Sequence, residues 1–460
     1  MACSSRRCLR CTALLLALLR APAASGETRR VQFAFYENAL YARVDQTDQD
    51  RALSTLMYLQ SLLRRHAAAP GAEANATASA MSDDLDAVAA ANVNASAVVP
   101  HGFAPRLARM PDAVHGTIAG CIGDSWISPP ASELPNGSAV FSFWRPPEVQ
   151  HNVSRLLPDH DFAGWANAWI PPLPMIAREL AAEGVVHGWH ARSPVLYWTG
   201  ASLGANGVWR NSFRDAAARL PDLFEADMVL WRAERQGAAL GPGEPPVVAP
   251  GEAPGGGGWL KPVRMDLRKL ARYKYLIYLP GGTWSTSLKR IALAGGVLFM
   301  PRANPQESLA SLLLRHACSD DIAYFDGPEP DAMLGSLEAQ VRALRADDAA
   351  AQARATRFAA CAQRVLSEQR TDAAALLALH EAAEEQQRQG APPFPLEALN
   401  RTADVSASLA GGLMRRIGGC AELKARWTAL VGPMYAWQVN AWYDDDCQMR
   451  AGSYLRFAAL

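Results

Sequence analysis

The segment from residue 273 to residue 301 constrains the fold more than any other part of the chain. It reads YKYLIYLPGGTWSTSLKRIALAGGVLFMP. The aromatic and aliphatic run at 273–279 predicts a strand, and Pro280 with the two glycines after it predicts a tight turn. Apolar residues at helical spacing follow TWSTS and predict a helix, which Gly295 and Gly296 end before a second strand at 297–300. So short a connection predicts a right-handed parallel βαβ unit.

The turn of this unit has the composition of an anion site. Backbone N–H groups at the start of a helix have no partner inside the helix, and glycines let a ligand approach them closely. Hydroxyl side chains line the same turn. We therefore expect a phosphate or diphosphate here, although the sequence matches neither G-x-G-x-x-G nor the P-loop pattern. The alternative is an ordinary βα turn in which Ser285 is a plain N-cap.

A second strand–loop–helix unit precedes it, in SPVLYWTGASLGANGVWRNSFRDAAARL. We predict a strand at 195–198, a glycine-rich loop at 200–207 and a helix at 210–220. Arg210 at the helix start is a candidate partner for a phosphate. The alternative is a surface arginine that lies near Asp215. Short strands alternate with helices across 190–370, which predicts a doubly wound α/β domain.

The remaining chain divides around this domain. Residues 27–190 are predicted to form a first α/β domain and residues 191–388 a second. Residues 236–258 are a Gly/Pro-rich flexible insertion within the second domain, and residues 389–460 form a tail that packs back on the domains. At 460 residues and zero formal net charge, the chain has no broad basic field, which argues against nucleic acid as the main partner.

The first 26 residues have the pattern of a secretory signal peptide, with arginines before the apolar run at 14–19 and small residues after it. A transit peptide is the alternative, because this segment contains Arg and Ser but no acid. No later segment reaches transmembrane length, so we expect a soluble mature protein. The chain also holds five N-x-[ST] sequons, an excess for twelve asparagines that favours the secretory pathway: Asn75, Asn94, Asn136, Asn152 and Asn400. The Ala/Ser-rich composition around the first two sequons would also produce them by chance.

Five cysteines remain after the predicted signal peptide, and no two of them form a C-x-x-C pair. We therefore expect no zinc site. One or two disulfides are expected, for example between Cys420 and Cys447, and the odd count leaves one thiol free.

The second half of the chain resembles family 90 glycosyltransferases over about residues 190–380. This family includes the Rumi-type protein O-glucosyltransferases, the fungal capsule-associated xylosyltransferases and plant and algal relatives. YKYLIYLPGGTWSTSLKRIALAGG is similar to the plant and fungal form of the family's central motif, and YWTGASLGANGVWR is similar to its W-x-G motif followed by an arginine. The order of the elements that follow also agrees.

The resemblance implies a GT-B-like fold, with two Rossmann-like domains facing across a cleft, and a UDP-sugar donor in the C-terminal domain without an obligatory metal. In it, the turn presents N–H and hydroxyl groups to the diphosphate, Arg210 neutralises phosphate charge, and Glu307 takes ribose hydroxyls. A plain acid at a helix N-terminus is the alternative for Glu307. The donor-site residues implied are Ser202, Arg210, Gly281, Gly282, Thr283, Trp284, Ser285, Ser287, Lys289 and Glu307.

One departure from the family concerns the general base. Inverting members use an aspartate shortly after a PD-x-(D/E) stretch, which residues 158–161 resemble, but Ala168 stands where that aspartate belongs. Asp161 or His160 is the expected substitute, since a carboxylate or an imidazole can accept a proton; His187 and His190 are more distant options.

The sequence thus predicts a glycosyltransferase that moves glucose or xylose from UDP to a protein serine or a glycan. We expect it in the lumen of the endoplasmic reticulum or Golgi, or secreted. A second hypothesis is a degenerate relative that binds nucleotide or sugar without turnover. A third is an unrelated α/β protein that shares one βα turn.

Overall fold

The computed structural model describes residues 30–36, 38–45, 49–67, 110–118, 139–145, 154–165, 170–201, 207–229, 267–281, 285–304, 306–327, 330–391, 415–431 and 439–450. The predicted signal peptide, the insertion at 236–258 and all five sequons lie outside these residues.

Strands and helices alternate along most of the described chain, and the predicted α/β class is confirmed. The strands are β1 (Arg30–Tyr36), β2 (Ala39–Asp45), β3 (Ala113–Ile118), β4 (Ala139–Ser142), β5 (Trp144–Arg145), β6 (Arg155–Leu156), β7 (Ser193–Ala201), β8 (Phe224–Val229), β9 (Tyr273–Ile277), β10 (Val297–Pro301), β11 (Glu307–Ser308), β12 (Ala323–Phe325) and β13 (Arg415–Arg416). The α-helices are α1 (Gln49–Ala67), α2 (Leu173–Val186), α3 (Gly207–Arg219), α4 (Leu267–Leu270), α5 (Ser287–Leu293), α6 (Leu309–Ala317), α7 (Pro330–Ala346), α8 (Asp348–Val365), α9 (Glu368–Arg388) and α10 (Cys420–Val431).

A mixed sheet in the order β13-β2-β1-β3-β4-β6 occupies the first half. β1 and β2 form a hairpin whose closing pair is Tyr36 and Ala39, with Asn38 at a φ of 57° in the turn, a conformation that asparagine tolerates well. Alternate β1 residues such as Val31 and Phe33 are fully buried. Helices α1 and α9 pack against this sheet.

A parallel sheet in the order β12-β10-β9-β7-β8 occupies the second half. The predicted βαβ unit is confirmed, because Val297 of β10 pairs in parallel with Tyr275 of β9. Buried side chains alternate between the two faces of this sheet. Trp198 and Phe299 lie in one apolar cluster with residues of α3 and α7, whereas Met300 lies in a second cluster with residues of α5 and α6. Both faces are thus covered, as a parallel sheet requires.

Two glycines end α5 as predicted. Gly295 has a φ of +74°, the left-handed conformation common just after a helix. The guanidinium of Arg192 donates to the carbonyl oxygens of Ala294 and Gly295, at 3.2 and 2.7 Å, and so satisfies the helix end. A Cβ atom at Gly296 would stand 3.0 Å from the carbonyl oxygen of Lys274, so the close approach of β9 leaves no room for a side chain there.

The two halves contact each other at several points. β5 of the first half pairs antiparallel with β11 of the second half. Helix α9, which ends the predicted second domain, packs against β3 and β6 of the first sheet, and Gln386 of α9 donates to the carbonyl oxygen of His115. The tail returns to the first half as well, since β13 pairs with β2 and α10 packs on α1.

Two disulfides fix the described cysteines. One joins Cys420 and Cys447 in the tail, which confirms that predicted pairing, and the other joins Cys318 and Cys361. The fifth cysteine, Cys121, lies outside the described residues. Within the described ranges, no helix combines the length and the apolar character needed to cross a membrane, and no group of three or more His, Cys, Asp or Glu side chains is arranged to hold a metal ion.

Candidate functional site

The parallel sheet gives the clearest geometric indication of a binding site. With β7 counted as its first strand, the strand order is 2-1-3-4-5. The chain therefore leaves β7 toward one edge of the sheet and leaves β9 toward the other. In doubly wound sheets of this order, a crevice opens between these two strands at their carboxyl ends, and ligands bind in it. We call this place the switch crevice; among the described residues it is bordered by the carboxyl ends of β7 and β9, Pro280, Gly281 and the start of α3.

Arg210 connects the two sides of the switch crevice. It lies in the first turn of α3, and its Nε donates to the carbonyl oxygen of Pro280, just after β9, at 3.0 Å. Its guanidinium carbon lies 5.7 Å from the centre of the Trp198 ring, and the residue is 7% exposed. Burial lowers the pKa of Arg210, while nearby Tyr278 acts in the opposite direction. A buried guanidinium at the carboxyl edge of a parallel sheet is the type of group that binds phosphate.

The glycine turn after β9 is also contacted from the segment that follows β10. The side-chain Nε2 of Gln306 donates to the carbonyl oxygen of Gly281 at 3.2 Å. Asn304 in turn donates to the carbonyl oxygen of Gln306. Three segments that follow parallel strands therefore meet at Pro280 and Gly281: the start of α3, the turn itself and residues 304–306. The sequence prediction missed Gln306, although its place after the carboxyl end of β10 was the available signal.

The hydroxyls predicted to line the turn lie just beyond it. The side-chain oxygens of Ser285 and Ser287 share a hydrogen bond at 2.6 Å. Helix α5 begins at Ser287, later than the TWSTS composition predicts, and its N-cap is Thr286, with no side-chain capping bond. The interpretation of Ser285 as the N-cap is therefore wrong. Its hydroxyl is engaged by Ser287 instead of by the backbone of the helix.

Lys289 of α5 binds a carboxylate from the first half. Its Nζ lies 2.7 Å from Oδ1 of Asp159, and both side chains are almost fully buried, at 2% and 4% exposure. Asp159 also accepts a hydrogen bond from the backbone N–H of Asp161 at 3.2 Å. Lys289, which is predicted to contact phosphate, is thus paired with Asp159, which belongs to the segment predicted to carry the base.

His160 and Asp161 lie in a short 3-10 turn that packs against α1 and α2, and Arg290 of α5 lies 4.0 Å from Oδ2 of Asp161. Each residue is 1% exposed, so neither side chain can contact an acceptor in this conformation. Burial lowers the pKa of His160 to about 4. Burial alone would raise the pKa of Asp161, but the charges of Lys289 and Arg290 outweigh it and hold that pKa below its ordinary value.

Glu307 faces the first half of the protein. It lies in β11, one residue before the Ser308 that caps α6, and its Oε2 is 3.3 Å from Nε of Arg145 in β5. Its neighbour Gln306, not Glu307 itself, reaches the glycine turn. The predicted contact of Glu307 with a ribose stays a prediction.

Several positions predicted for the site lie outside the described residues. They are Ser202, Gly282, Thr283, Trp284 and Ala168, the last being the position where the family's base belongs. Among the predicted residues that the structure describes, Arg210 and Gly281 meet at the switch crevice. Lys289 lies near the segment that contains His160 and Asp161. Its helix, α5, follows the glycine turn in the sequence.

A small cavity elsewhere is explained by structural contacts. It is lined by residues that include Tyr58, Arg65, Glu368 and Tyr443, and it lies beside α1 and α9. Arg65 donates to both carboxylate oxygens of Asp372, at 2.6 and 2.8 Å, which anchors these two helices to each other. Its lining includes Phe162 and Ala163, which follow the 158–161 stretch, but no residue that borders the switch crevice, so we do not assign the donor site to it.

Comparison with known proteins gives one match. A family model described as "Glycosyl transferase family 90" matches residues 138–369, which is half of the chain and runs from β4 to the first residues of α9. The match includes the complete parallel sheet, Arg210, the glycine turn and the 158–161 stretch. No curated protein matches the chain significantly.

Proposed function

The chain belongs to glycosyl transferase family 90, and on this premise we propose that it transfers glucose or xylose from a UDP-sugar to a protein serine or a glycan. Family membership removes the hypothesis of an unrelated α/β protein. The observation that carries the donor part of the proposal is the buried Arg210 at the switch crevice, hydrogen-bonded to the end of β9. The secretory-pathway lumen is proposed from the leader and the sequons.

We propose further that the two halves form a GT-B arrangement. The parallel sheet has the strand order of a doubly wound nucleotide-binding domain, and a separate mixed sheet occupies the first half. The halves meet beside the crevice, through β5 with β11 and through Asp159 with Lys289. An acceptor held by the first half would therefore lie next to a donor held by the second.

In the proposed reaction, the acceptor oxygen attacks the anomeric carbon of the donor sugar, and the bond from that carbon to the UDP oxygen breaks. Negative charge develops on the diphosphate as UDP leaves. A fixed cation aimed at this charge stabilises the transition state more than the ground state. The position of Arg210 supports this role, since α3 and the hydrogen bond to Pro280 hold it at the carboxyl edge of the sheet.

The acceptor proton needs a base, and Asp161 and His160 stay the predicted candidates. Both groups are deprotonated at neutral pH and can accept a proton, but burial lowers the pKa of His160 to about 4 and the charges of Lys289 and Arg290 lower that of Asp161, so each is a weaker base than usual. Both side chains are buried, so proton transfer through either requires the 158–165 segment to move out of its packing against α1, α2 and α5. The alternative of a degenerate relative, which binds the donor without turnover, is not favoured by the family match.

The donor site is tested by thermal shift with UDP, UDP-glucose, UDP-xylose, GDP and ADP. A ligand at about a hundred times its dissociation constant stabilises the folded state by about 2.7 kcal/mol. We expect uridine ligands alone to stabilise the wild type. We expect Arg210→Gln to weaken uridine ligands by about 10- to 100-fold, since a hydrogen bond to a charged group contributes about 1.5–3 kcal/mol.

Arg214→Gln is the matched control, one turn further along α3. Its side chain is 46% exposed and pairs with Asp215 at 3.0 Å, so it should bind UDP as the wild type does. Equal UDP affinity of the Arg210 and Arg214 variants would refute the assigned role of Arg210. An absence of any nucleotide shift in the wild type would refute the donor site. Release of UDP from the bound donor, followed over time, separates a transferase from a relative that only binds.

A further inference from the structure

Gln306 and the residue after it, Glu307, contact different parts of the protein. Glu307 and Ser308 form β11, and Gln306 directly precedes this strand. Glu307 points toward Arg145 of the first half, and Gln306 points toward the glycine turn, where its Nε2 donates to the carbonyl oxygen of Gly281. Gln306 is 5% exposed. This amide is therefore a buried part of the switch-crevice wall.

The orientation of this amide follows from its partner. A backbone carbonyl oxygen only accepts hydrogen bonds, so the NH₂ group of Gln306 faces Gly281 and the side-chain oxygen faces away from it. That oxygen is buried, and no donor among the described residues reaches it. The same holds for the side-chain oxygen of Asn304, whose NH₂ group is used by the carbonyl oxygen of Gln306. Buried acceptors without donors are uncommon in folded proteins and call for a partner.

We propose that Gln306 holds the glycine turn through Gly281 and that its buried oxygen, once the crevice opens to admit the donor, accepts a hydrogen bond from a hydroxyl group of that donor. This inference rests on the proposed function, since it takes the ligand of the crevice to be a nucleotide sugar. Ionised phosphate oxygens have no proton to give, so apart from the N3–H of the uracil the hydrogen-bond donors of such a ligand are its hydroxyl groups. Two hydroxyl sources exist in such a ligand, the ribose and the transferred sugar.

A buried acceptor of this kind makes the site selective for ligands that carry the hydroxyl group. A ligand that lacks the hydroxyl leaves the Gln306 oxygen without a partner in a site that excludes water. Its affinity therefore falls by more than the loss of one hydrogen bond alone would cause. Gln306 is accordingly a positioning and specificity residue, and the bond-breaking step does not pass through it.

The test compares ligands that differ by one hydroxyl, by calorimetric titration of the full chain. The ligands are UDP, 2′-deoxy-UDP, 3′-deoxy-UDP, UDP-glucose and the 2-, 3-, 4- and 6-deoxy forms of UDP-glucose. The variants are the wild type, Gln306→Met, which keeps the length of the side chain without its polar atoms, and Gln306→Glu. Gln340→Met is the matched control, because Gln340 also donates to a backbone carbonyl oxygen, that of Tyr324 at 3.1 Å, but on α7 away from the crevice.

We expect the wild type to prefer one hydroxyl-bearing ligand over its deoxy analogue by about tenfold or more, and Gln306→Met to reduce that ratio to about one. Loss of the UDP to deoxy-UDP ratio identifies the ribose as the source, and loss of the UDP-glucose ratios identifies the sugar. Gln306→Glu should bind all uridine ligands more weakly, because it repels the Gly281 carbonyl oxygen, yet keep the hydroxyl preference, because it keeps an acceptor. Gln340→Met should keep both the affinities and the ratios.

Two results overturn the inference, and they are distinguishable from failure of the proposed function. Unchanged hydroxyl ratios in Gln306→Met, with uridine ligands still bound, would leave the donor site standing and remove the role of Gln306. If Gln306→Met does not fold, loss of the hydroxyl preference in Gln306→Glu would remove that role instead, because the variant keeps an acceptor at this position. No binding of any uridine ligand to the wild type would refute the proposed function, and the inference with it.

Discussion

Acidification between pH 7 and pH 5 should destabilise this protein through His160. The ring lies between Phe143 and Trp165, with centroid distances of 6.0 and 5.1 Å, and the residue is 1% exposed. Burial has the largest effect on the pKa of His160, and it favours the neutral ring. The charges that act on it are Arg51 and Lys289, which also favour the neutral ring, and Asp159 and Asp161, which oppose them. The net result is a folded-state pKa of about 4 against an ordinary value of 6.5.

The sign and size of the effect follow from linkage. Between these two pKa values the unfolded chain binds a proton at His160 and the folded chain does not, so the free energy of unfolding falls as the pH falls. A difference of about 2.5 units corresponds to about 3 kcal/mol in total, and about 2 kcal/mol of this is lost between pH 7 and pH 5. The pKa of Asp161 is lowered below 3.8, so that carboxylate stays ionised throughout this window.

Urea unfolding at several pH values between 5 and 7 measures the effect. His160→Gln, which has no titratable ring, should lose about 2 kcal/mol less than the wild type over this range. Phe143→Leu is the control, because it disturbs the packing on the same ring without removing the titratable group; it should be less stable by the same amount at every pH. Identical pH slopes for wild type and His160→Gln would refute the assignment of a buried neutral imidazole.

Two further predictions concern stability. Lys289→Met should destabilise the fold by about 3–5 kcal/mol in urea unfolding at pH 7, because it removes the buried cation that pairs with the carboxylate of Asp159. Asp326→Asn, which breaks an exposed ion pair, should cost less than about 1 kcal/mol, and equal effects of the two substitutions would contradict the buried pairing. Replacing Cys318 and Cys361 by serine should cost about 2–4 kcal/mol, because the bond closes a loop over a sequence separation of 43 residues; an unchanged urea midpoint would show that the bond does not stabilise the fold.

The second half of the fold was predictable because its signals are local. A strand, a glycine turn and a helix within thirty residues leave few topologies, and the parallel pairing of β9 with β10 confirms the one predicted. The start of α5 was less predictable. Ser285 has the composition of an N-cap, yet its hydroxyl bonds to Ser287 and the helix begins one residue later than an N-cap at Ser285 requires. The identity of a cap depends on backbone dihedrals, which composition does not determine.

The first half was less predictable because its contacts are distant in sequence. β13 contains only two residues, and it becomes a strand because it pairs with β2, more than 370 residues earlier. The burial of His160 and Asp161 has the same origin. A histidine between two aspartates has the composition of an exposed catalytic segment, and elements distant in sequence enclose it: α1, Phe143, and α5 with Lys289 and Arg290. Packing of one half on the other has no local pattern that sequence reasoning can find.

Within the candidate site, a contact between the two halves also decides between Gln306 and Glu307. Both follow the carboxyl end of β10, so the strand order places both near the switch crevice. A carboxylate is the more obvious partner for ribose, and the sequence favours Glu307 on that ground. The two side chains contact different parts of the protein, however, and a register shift of one residue would exchange the two roles. The register is set by the pairing of Glu307 with Arg145 of β5, a contact with the other half of the protein. The choice between the two residues is therefore made by the junction of the halves, and the wall of the crevice at Gly281 is complete only when that junction has formed.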